Sequence, residues 1–387
     1  MHVLFAPDGF TGTLTAQQAA AAMAEGWRAA APNDLITIVP LSDGGPGFLD
    51  VIAQSMAGEM VMTTVSDPLG RPVPAGILLT GPDGDRTAWI ESAQAIGLHL
   101  LKDAERNPGR TTTVGLGELI AAATDYDVQR IVVGLGGSGT NDAGAGLLAA
   151  LGAGPADVLA TGGEGLLAVR ESDLEGLAAV RERLAGIELI AATDVDAPLL
   201  GLQGASAVYA EQKGASAEQA QALEACLGHF ADQVGRVLPA PTDLMTGRPR
   251  RTDREPGAGA AGGVGFALLL LGARRLSGVD LVLEAVDFDR VAAAADVIVT
   301  GEGTVDWQSL QGKVVTGVCR AGARHAVPVV IIAGRVLLGR RESMAMGAAG
   351  AYAVAERLDE VDRALLDPVG TLTERTERVA RTWSPRR

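Results

Sequence analysis

The pattern that most restricts this chain is a short aliphatic run that ends in an acidic residue or a glycine cluster and passes into a helix-forming stretch. It occurs first at Val3-Leu4-Phe5, which leads through Ala6-Pro7-Asp8-Gly9 to an alanine-rich segment over 16–30, with Thr15 and Gln18 spaced as a capping box. It recurs at 35–41, which ends in Ser42-Asp43-Gly44-Gly45-Pro46-Gly47 and precedes a helix over 48–56. Its fullest form is Ile131–Gly146, IVVGLGGSGTNDAGAG. Three β-branched residues there make a buried parallel strand, and Gly134, Gly136, Gly137 and Gly139 let backbone amides turn toward an anion without a Cβ in the way. Thr140, Asn141 and Asp142 then stand where a helix would be capped, its positive end facing the same guest. No lysine follows the glycines as in a P-loop, and the spacing is not the dinucleotide fingerprint, so a tight strand-to-helix turn is the competing reading. Strand and helix in alternation call for an α/β protein with a parallel sheet.

The alternation breaks in the middle of the chain. Between 58 and about 90, polar alternation, prolines at 68, 72 and 74, and the turn Gly81-Pro82-Asp83-Gly84 read as hairpin strands. After Leu151 come a polar helix over 174–184, a strand over 187–192 ending in Thr193-Asp194, and a long helix over 217–238. The stretch 239–256, with Arg248, Arg250, Arg251 and Arg254, reads as a solvated excursion over the surface. Pro256–Gly265 reads as close packing of small residues before an apolar helix. Strand and helix alternate again from 297, with a strand over 297–300 leading into Gly301-Glu302-Gly303-Thr304-Val305-Asp306. The fold expected is therefore two α/β domains with a cleft between them. A Rossmann-like parallel-sheet domain (1–58, 112–150 and 286–387) is interrupted by an inserted mixed α/β domain (59–111 and 151–285).

Charge narrows the function. A net charge of −15 argues against nucleic acid and acidic membranes as partners, because both require a clustered basic surface. The most apolar stretch, Gly259–Leu271, is too short and too glycine-rich to span a bilayer. Cys226 and Cys319 lack metal spacing, and the start MHVLFAP lacks the basic region of a signal peptide, so a reduced cytoplasmic chain is expected. His2, His99, His229 and His325 show no catalytic or metal spacing. What remains is a set of acids at strand exits, Asp8, Asp43, Asp142, Asp194, Glu302 and Asp306, with one well-placed cation, Lys313. Carboxylates hold Mg²⁺, which bridges them to substrate phosphates, while amides and a lysine stabilise the transferred group. That combination suits phosphoryl transfer from ATP to a small alcohol.

The same residues carry a resemblance. Ala6-Pro7-Asp8, Asp43-Gly44-Gly45, 134–146, Asp194-Val195 through Pro198-Leu199-Leu200-Gly201, and Gly204-Ala205-Ser206-Ala207 occur in that order. Gln212-Lys213-Gly214-Ala215, 256–263, and Gly301-Glu302-Gly303 with Lys313 follow. Together they span nearly the whole chain, which resembles the bacterial type I glycerate kinase family. The resemblance implies a two-domain α/β kinase that uses ATP and Mg²⁺ and phosphorylates D-glycerate, in most members to 2-phosphoglycerate. Three motifs depart from the family's usual wording. PDSFKGS becomes Pro7-Asp8-Gly9-Phe10-Thr11-Gly12-Thr13, DGGEGT becomes Asp43-Gly44-Gly45-Pro46-Gly47-Phe48, and GEGRLD becomes Gly301-Glu302-Gly303-Thr304-Val305-Asp306. A lysine and an arginine that could grip an anion are thereby replaced by Thr11 and Thr304, and an acid by Pro46.

The resulting assignment gives catalysis to Asp43, Asp194 and Lys313, and substrate binding to Asp8, Asn141, Asp142 and Lys213. Phosphate or nucleotide binding falls to Gly136, Gly137, Ser138, Gly139, Gly301, Glu302 and Gly303, and Mg²⁺ to Asp142 and Asp194. The expected partner is a small hydroxy acid, and a homodimer is compatible with everything above. A non-catalytic, ligand-binding paralogue is the alternative that the changes at Thr11, Pro46 and Thr304 leave open.

Overall fold

The computed structural model describes residues 1–10, 12–238, 242, 245, 247 and 249–384. Thr11 and Arg248, singled out above, lie outside the described residues. The chain divides into two compact units, one of residues 1–43, 50–56 and 277–387, the other of 44–49 and 57–276. Strands β1 (His2–Phe5) and β2 (Leu35–Ile38) open the sheet of the first unit. The next six, β3 (Gly58–Ser66), β4 (Pro72–Thr80), β5 (Thr87–Glu91), β6 (Arg130–Gly134), β7 (Glu188–Ala192) and β8 (Arg274–Leu276), form the second sheet in sequence order. The last three, β9 (Val297–Thr300), β10 (Val329–Ala333) and β11 (Ala348–Ala353), return to the first sheet.

The first sheet has the order β11-β10-β9-β1-β2 and is parallel throughout. Its core is built on Phe5 and Trp27, whose rings meet edge to face at 5.8 Å. Trp27 belongs to the helix Ala16–Ala30, which begins at the expected capping box of Thr15 and Gln18. That helix packs on the helix Pro368–Trp383 so closely that a Cβ at Gly26 would lie 2.2 Å from the Thr373 carbonyl oxygen. The second helix starts on an Asp367 side-chain cap with proline in its first turn, where a missing amide proton costs nothing.

The second sheet is mixed. The β3–β4 and β4–β5 pairs are antiparallel, as the hairpin signals between 58 and 90 predict, and β5 to β8 are parallel. One expectation is overturned. The stretch 112–150, assigned from sequence to the Rossmann-like domain, belongs to the second unit, because β6 pairs along its whole length between β5 and β7. The helix Gly278–Ala285, assigned to the inserted domain, lies in the first unit, and residues 44–49 lie in the second. An apolar parallel strand fits either sheet, and only its distant partners decide. The expected apolar helix is Ala260–Leu270, interrupted by left-handed backbone at Ala261, Gly262 and Gly263. Among the described residues no helix is long and apolar enough to cross a membrane.

Candidate active site

In the first sheet the chain leaves β1 for β2 on one side and places β9 on the other, so the strand order reverses between β1 and β9. Loops leaving the carboxyl ends of two such strands diverge, and open α/β sheets bind ligands at that point. The loop after β1 carries Asp8 and the loop after β9 carries Gly301-Glu302-Gly303. They are tied together by Asp8 N donating to Gly301 O at 2.8 Å and Thr300 Oγ1 donating to Ala6 O at 2.7 Å. Glu302 is buried, accepts from Ser309 Oγ at 2.5 Å, and stands 3.8 Å from Lys313 Nζ.

These groups are electrostatically strained. Burial first, then the charge of Asp43, holds the Asp8 carboxyl well above the usual carboxylate range, with Glu302 adding repulsion and the Gly9 amide and Lys313 opposing it. Glu302 is raised as well, by burial, with Lys313 and Ser309 pulling it down and Asp43 and Asp306 pushing it up. Asp8, Asp43, Glu302 and Lys313 thus form one charge cluster, as a site built to receive cations and phosphate would. Among the described residues no three His, Cys, Asp or Glu side chains are grouped closely enough to hold a metal ion alone. Mg²⁺ asks for less, commonly one or two carboxylates with waters and substrate phosphates, and this cluster meets that demand. Glu302, Gly303, Thr304, Asp306 and Lys313 also line a cavity of about 320 Å³.

The glycine-rich stretch of the second unit has a different character. A Cβ at Gly136 would lie 2.5 Å from Gly45 Cα, one at Gly134 would lie 2.6 Å from Gly44 O, and one at Gly146 would lie 2.1 Å from Thr112 Oγ1. These glycines permit backbone to pack on backbone. The amides of Gly136, Gly137 and Ser138 nonetheless donate to no other group among the described residues, and Gly137, at φ +65°, is exposed.

The helix expected to start at 140–142 begins at Ala145 instead, behind Gly144 at φ +74°, and is six residues long. The reason is Asp142. Its Oδ2 accepts from Thr113 N and Thr113 Oγ1 at 2.9 Å, Gly146 N at 3.2 Å and Thr112 Oγ1 at 3.4 Å, and its Oδ1 accepts from Gly144 N at 3.0 Å. Burial raises its pKa, and these donors pull it back. Lys213, buried as well, donates from Nζ to Thr140 O at 2.7 Å and Ser138 Oγ at 2.9 Å. Burial pushes its ammonium pKa down to about 7, against the charge of Asp142. Asn141 is buried with its amide donating to Ser206 Oγ at 2.9 Å.

Asp142 and Lys213 therefore spend their polar atoms inside the protein, which does not support a metal on Asp142 or a direct substrate contact by either, whereas the Asn141 Oδ1 is buried with no partner among the described residues. Asp142 and Lys213 fix the shape of the glycine loop. Asp194 sits half-buried two residues beyond β7, the strand exit where it was expected. Arg250 and Arg251 are occupied by Glu255 and Asp253. Thr111, Thr112 and Thr113 carry no role in the sequence reading, yet Thr111 Oγ1 donates to Gly139 O at 2.8 Å while the next two hold Asp142. Three successive threonines with no strand pattern around them were the available signal. Ser309 and Arg335 carried none.

A model of the glycerate kinase family matches residues 3–384. The chain belongs to the glycerate kinase family. It is 41% identical over 341 residues to a glycerate kinase of Bacillus subtilis (strain 168), covering 87% of this chain and 85% of that protein. It is 36% identical over 339 residues to the glycerate 2-kinase of Escherichia coli (strain K12), covering 86% and 85%. Its fold is similar to the crystal structure of a protein described as a glycerate kinase 2 from Salmonella typhimurium LT2, with a TM-score of 0.73, 34% identity, and 99% and 98% of the two chains covered. The ordered motifs that resemble this family are thus borne out as family membership, including the three that depart from its usual wording.

Proposed function

We propose that this glycerate kinase family member transfers the γ-phosphoryl group of ATP to a hydroxyl of D-glycerate, giving 2-phosphoglycerate, as a cytoplasmic enzyme. The observation that carries this reading is the cluster of Asp8, Asp43, Glu302 and Lys313 at the strand-order reversal of a parallel sheet. Asp43 accepts the proton of the attacking hydroxyl, and Lys313 neutralises charge on the phosphoryl group in flight. Asp8 and Glu302 would hold Mg²⁺, which would supply charge neutralisation on the donor phosphates. Taken by itself, the second unit offers the amides of Gly136, Gly137 and Ser138 to an anionic oxygen and Asp194 as a carboxylate for base or metal duty.

The changes at Thr304 and Gly9 leave this chemistry in place. Thr304, where the family's usual wording has arginine, pairs with Arg335 across a two-residue parallel bridge, so a guanidinium stands in the neighbouring position. A Cβ at Gly9 would meet only ordinary contacts at 3.5 Å and beyond, so the lost side chain left no collapsed gap. No observation favours a non-catalytic paralogue. The test is steady-state turnover of purified protein with ATP, Mg²⁺ and D-glycerate, the product located by phosphorus NMR. Phosphorylation at the 2-hydroxyl is expected, and turnover no higher than an Asp194→Ala control contradicts the reading.

A further inference from the structure

The proposed reaction has two guests, and only one of them has an apolar face. D-glycerate is three carbons bearing a carboxylate and two hydroxyls, so a greasy wall gains nothing from it. A nucleotide combines a flat base, whose faces prefer to leave water, with a chain of phosphates. The cavity of about 320 Å³ in the first unit is lined by residues of both kinds, charged ones from loops and aliphatic ones mainly from two helices. The charged ones are Lys313 and Arg335 beside Glu302 and Asp306. The Arg335 side chain is half-buried and pairs with no other group among the described residues. The aliphatic ones are Val354, Val361, Ala364, Leu365, Pro368 and Leu372. Leu365 keeps 59% of its surface open to solvent. The volume is at the small end of the roughly 300–1,000 Å³ of small-molecule sites, enough for a nucleoside with its phosphates emerging beside the charged residues.

We propose that this cavity is the nucleoside subsite of the phosphoryl donor. The base lies on the wall made by the helices Val361–Leu366 and Pro368–Trp383, and the phosphates run toward Lys313 and Arg335. Charge complementarity sets the direction, since Lys313 and Arg335 line the cavity from the loops, while the residues that the two helices contribute to its lining carry no charge. This inference rests on the kinase reading for the identity of the guest, and its test is arranged to separate the two.

The affinity of the full-length protein for ADP with Mg²⁺ is measured by calorimetry, alongside the KM values for ATP and D-glycerate. Ala364→Trp, which adds bulk to the aliphatic lining, should weaken ADP binding at least tenfold. Arg335→Gln should weaken it about fivefold, and both should leave the KM for D-glycerate within twofold. Leu365→Ser, at an exposed position where little packing is lost, should weaken ADP about threefold and decides the matter if Ala364→Trp misfolds. ADP affinity unmoved by these variants, a rise in the D-glycerate KM instead, or no ADP binding by the unaltered protein overturns the subsite. ADP binding that the variants abolish in a protein that phosphorylates no hydroxy acid supports the subsite and overturns the kinase reading alone.

Discussion

Asp8 and Asp142 both lie in loops that leave buried parallel strands, and burial raises the pKa of both, yet their surroundings are opposite. Asp142 accepts five hydrogen bonds from the chain, including three from backbone amides, and a lysine is buried nearby. Asp8 accepts one among the described residues, from the next amide, and its other large influences are two neighbouring carboxylates that repel it. The contrast separates two uses of a buried acid. Where the chain supplies the donors, the carboxylate is scaffold. Where the chain supplies more negative charge, the balance must come from outside, and a metal–nucleotide complex would restore it.

Four substitutions test that separation. The largest effect is expected for Asp43→Asn in the charged cluster. It removes the proposed proton acceptor and should lower kcat about 10²–10⁴-fold while leaving the urea unfolding midpoint in place. Asp142→Ala should do the reverse. It strands the amides of Thr113, Gly144 and Gly146, each worth about 1–3 kcal/mol when buried without a partner, so a loss of several kcal/mol should appear in equilibrium unfolding.

A smaller effect follows from Lys213. Its folded pKa of about 7 lies below the ordinary 10.5, so between these values the unfolded chain binds a proton that the folded chain does not. Its contribution to stability therefore rises with pH across that window and is lost as pH falls toward 7. Lys213→Met should flatten the rise, read as unfolding free energy at about pH 7 and about pH 9. The smallest effect is expected for Gly9→Ser, which restores the family's usual hydroxyl beside Asp8. With only ordinary contacts around the new Cβ, stability should change by less than about 1 kcal/mol, and a large loss would show that the Asp8 loop is more tightly specified than its packing indicates.

Much of this was legible in the amino-acid order. The strand Val297–Thr300, the helix Ala16–Ala30 and the hairpins around 58–90 are local patterns, and the structure places them where periodicity and turn chemistry put them. The acids at strand exits were equally visible, because Asp8 and Glu302 directly follow the strands that carry them. What escaped were the decisions made at long range. Whether β6 joined the first or the second sheet depended on β5 and β7, and whether Asp142 faced a ligand or the core depended on Thr113, 29 residues earlier. Lys213 looked like an anion grip because a lysine is exposed by default, and only Ser138 and Thr140 reveal it as an internal strut. The same limit applies to the glycines, whose need for close backbone approach could not be distinguished from an anion cradle without the 44–48 turn beside them.

The most direct test applies one pair of readouts to both aspartates. Asp8→Asn and Asp142→Asn each remove a charge while nearly conserving shape, and kcat with D-glycerate and the urea unfolding midpoint are measured for both. Asp8→Asn should keep or raise the midpoint, because a repelled buried charge is gone, and should lose most of its turnover. Asp142→Asn should lower the midpoint, because an amide nitrogen replaces an acceptor facing donors, and its remaining folded fraction should keep turning over. An Asp8→Asn protein with full activity, or an Asp142→Asn protein as stable as the parent, would contradict the division between a catalytic and a structural acid.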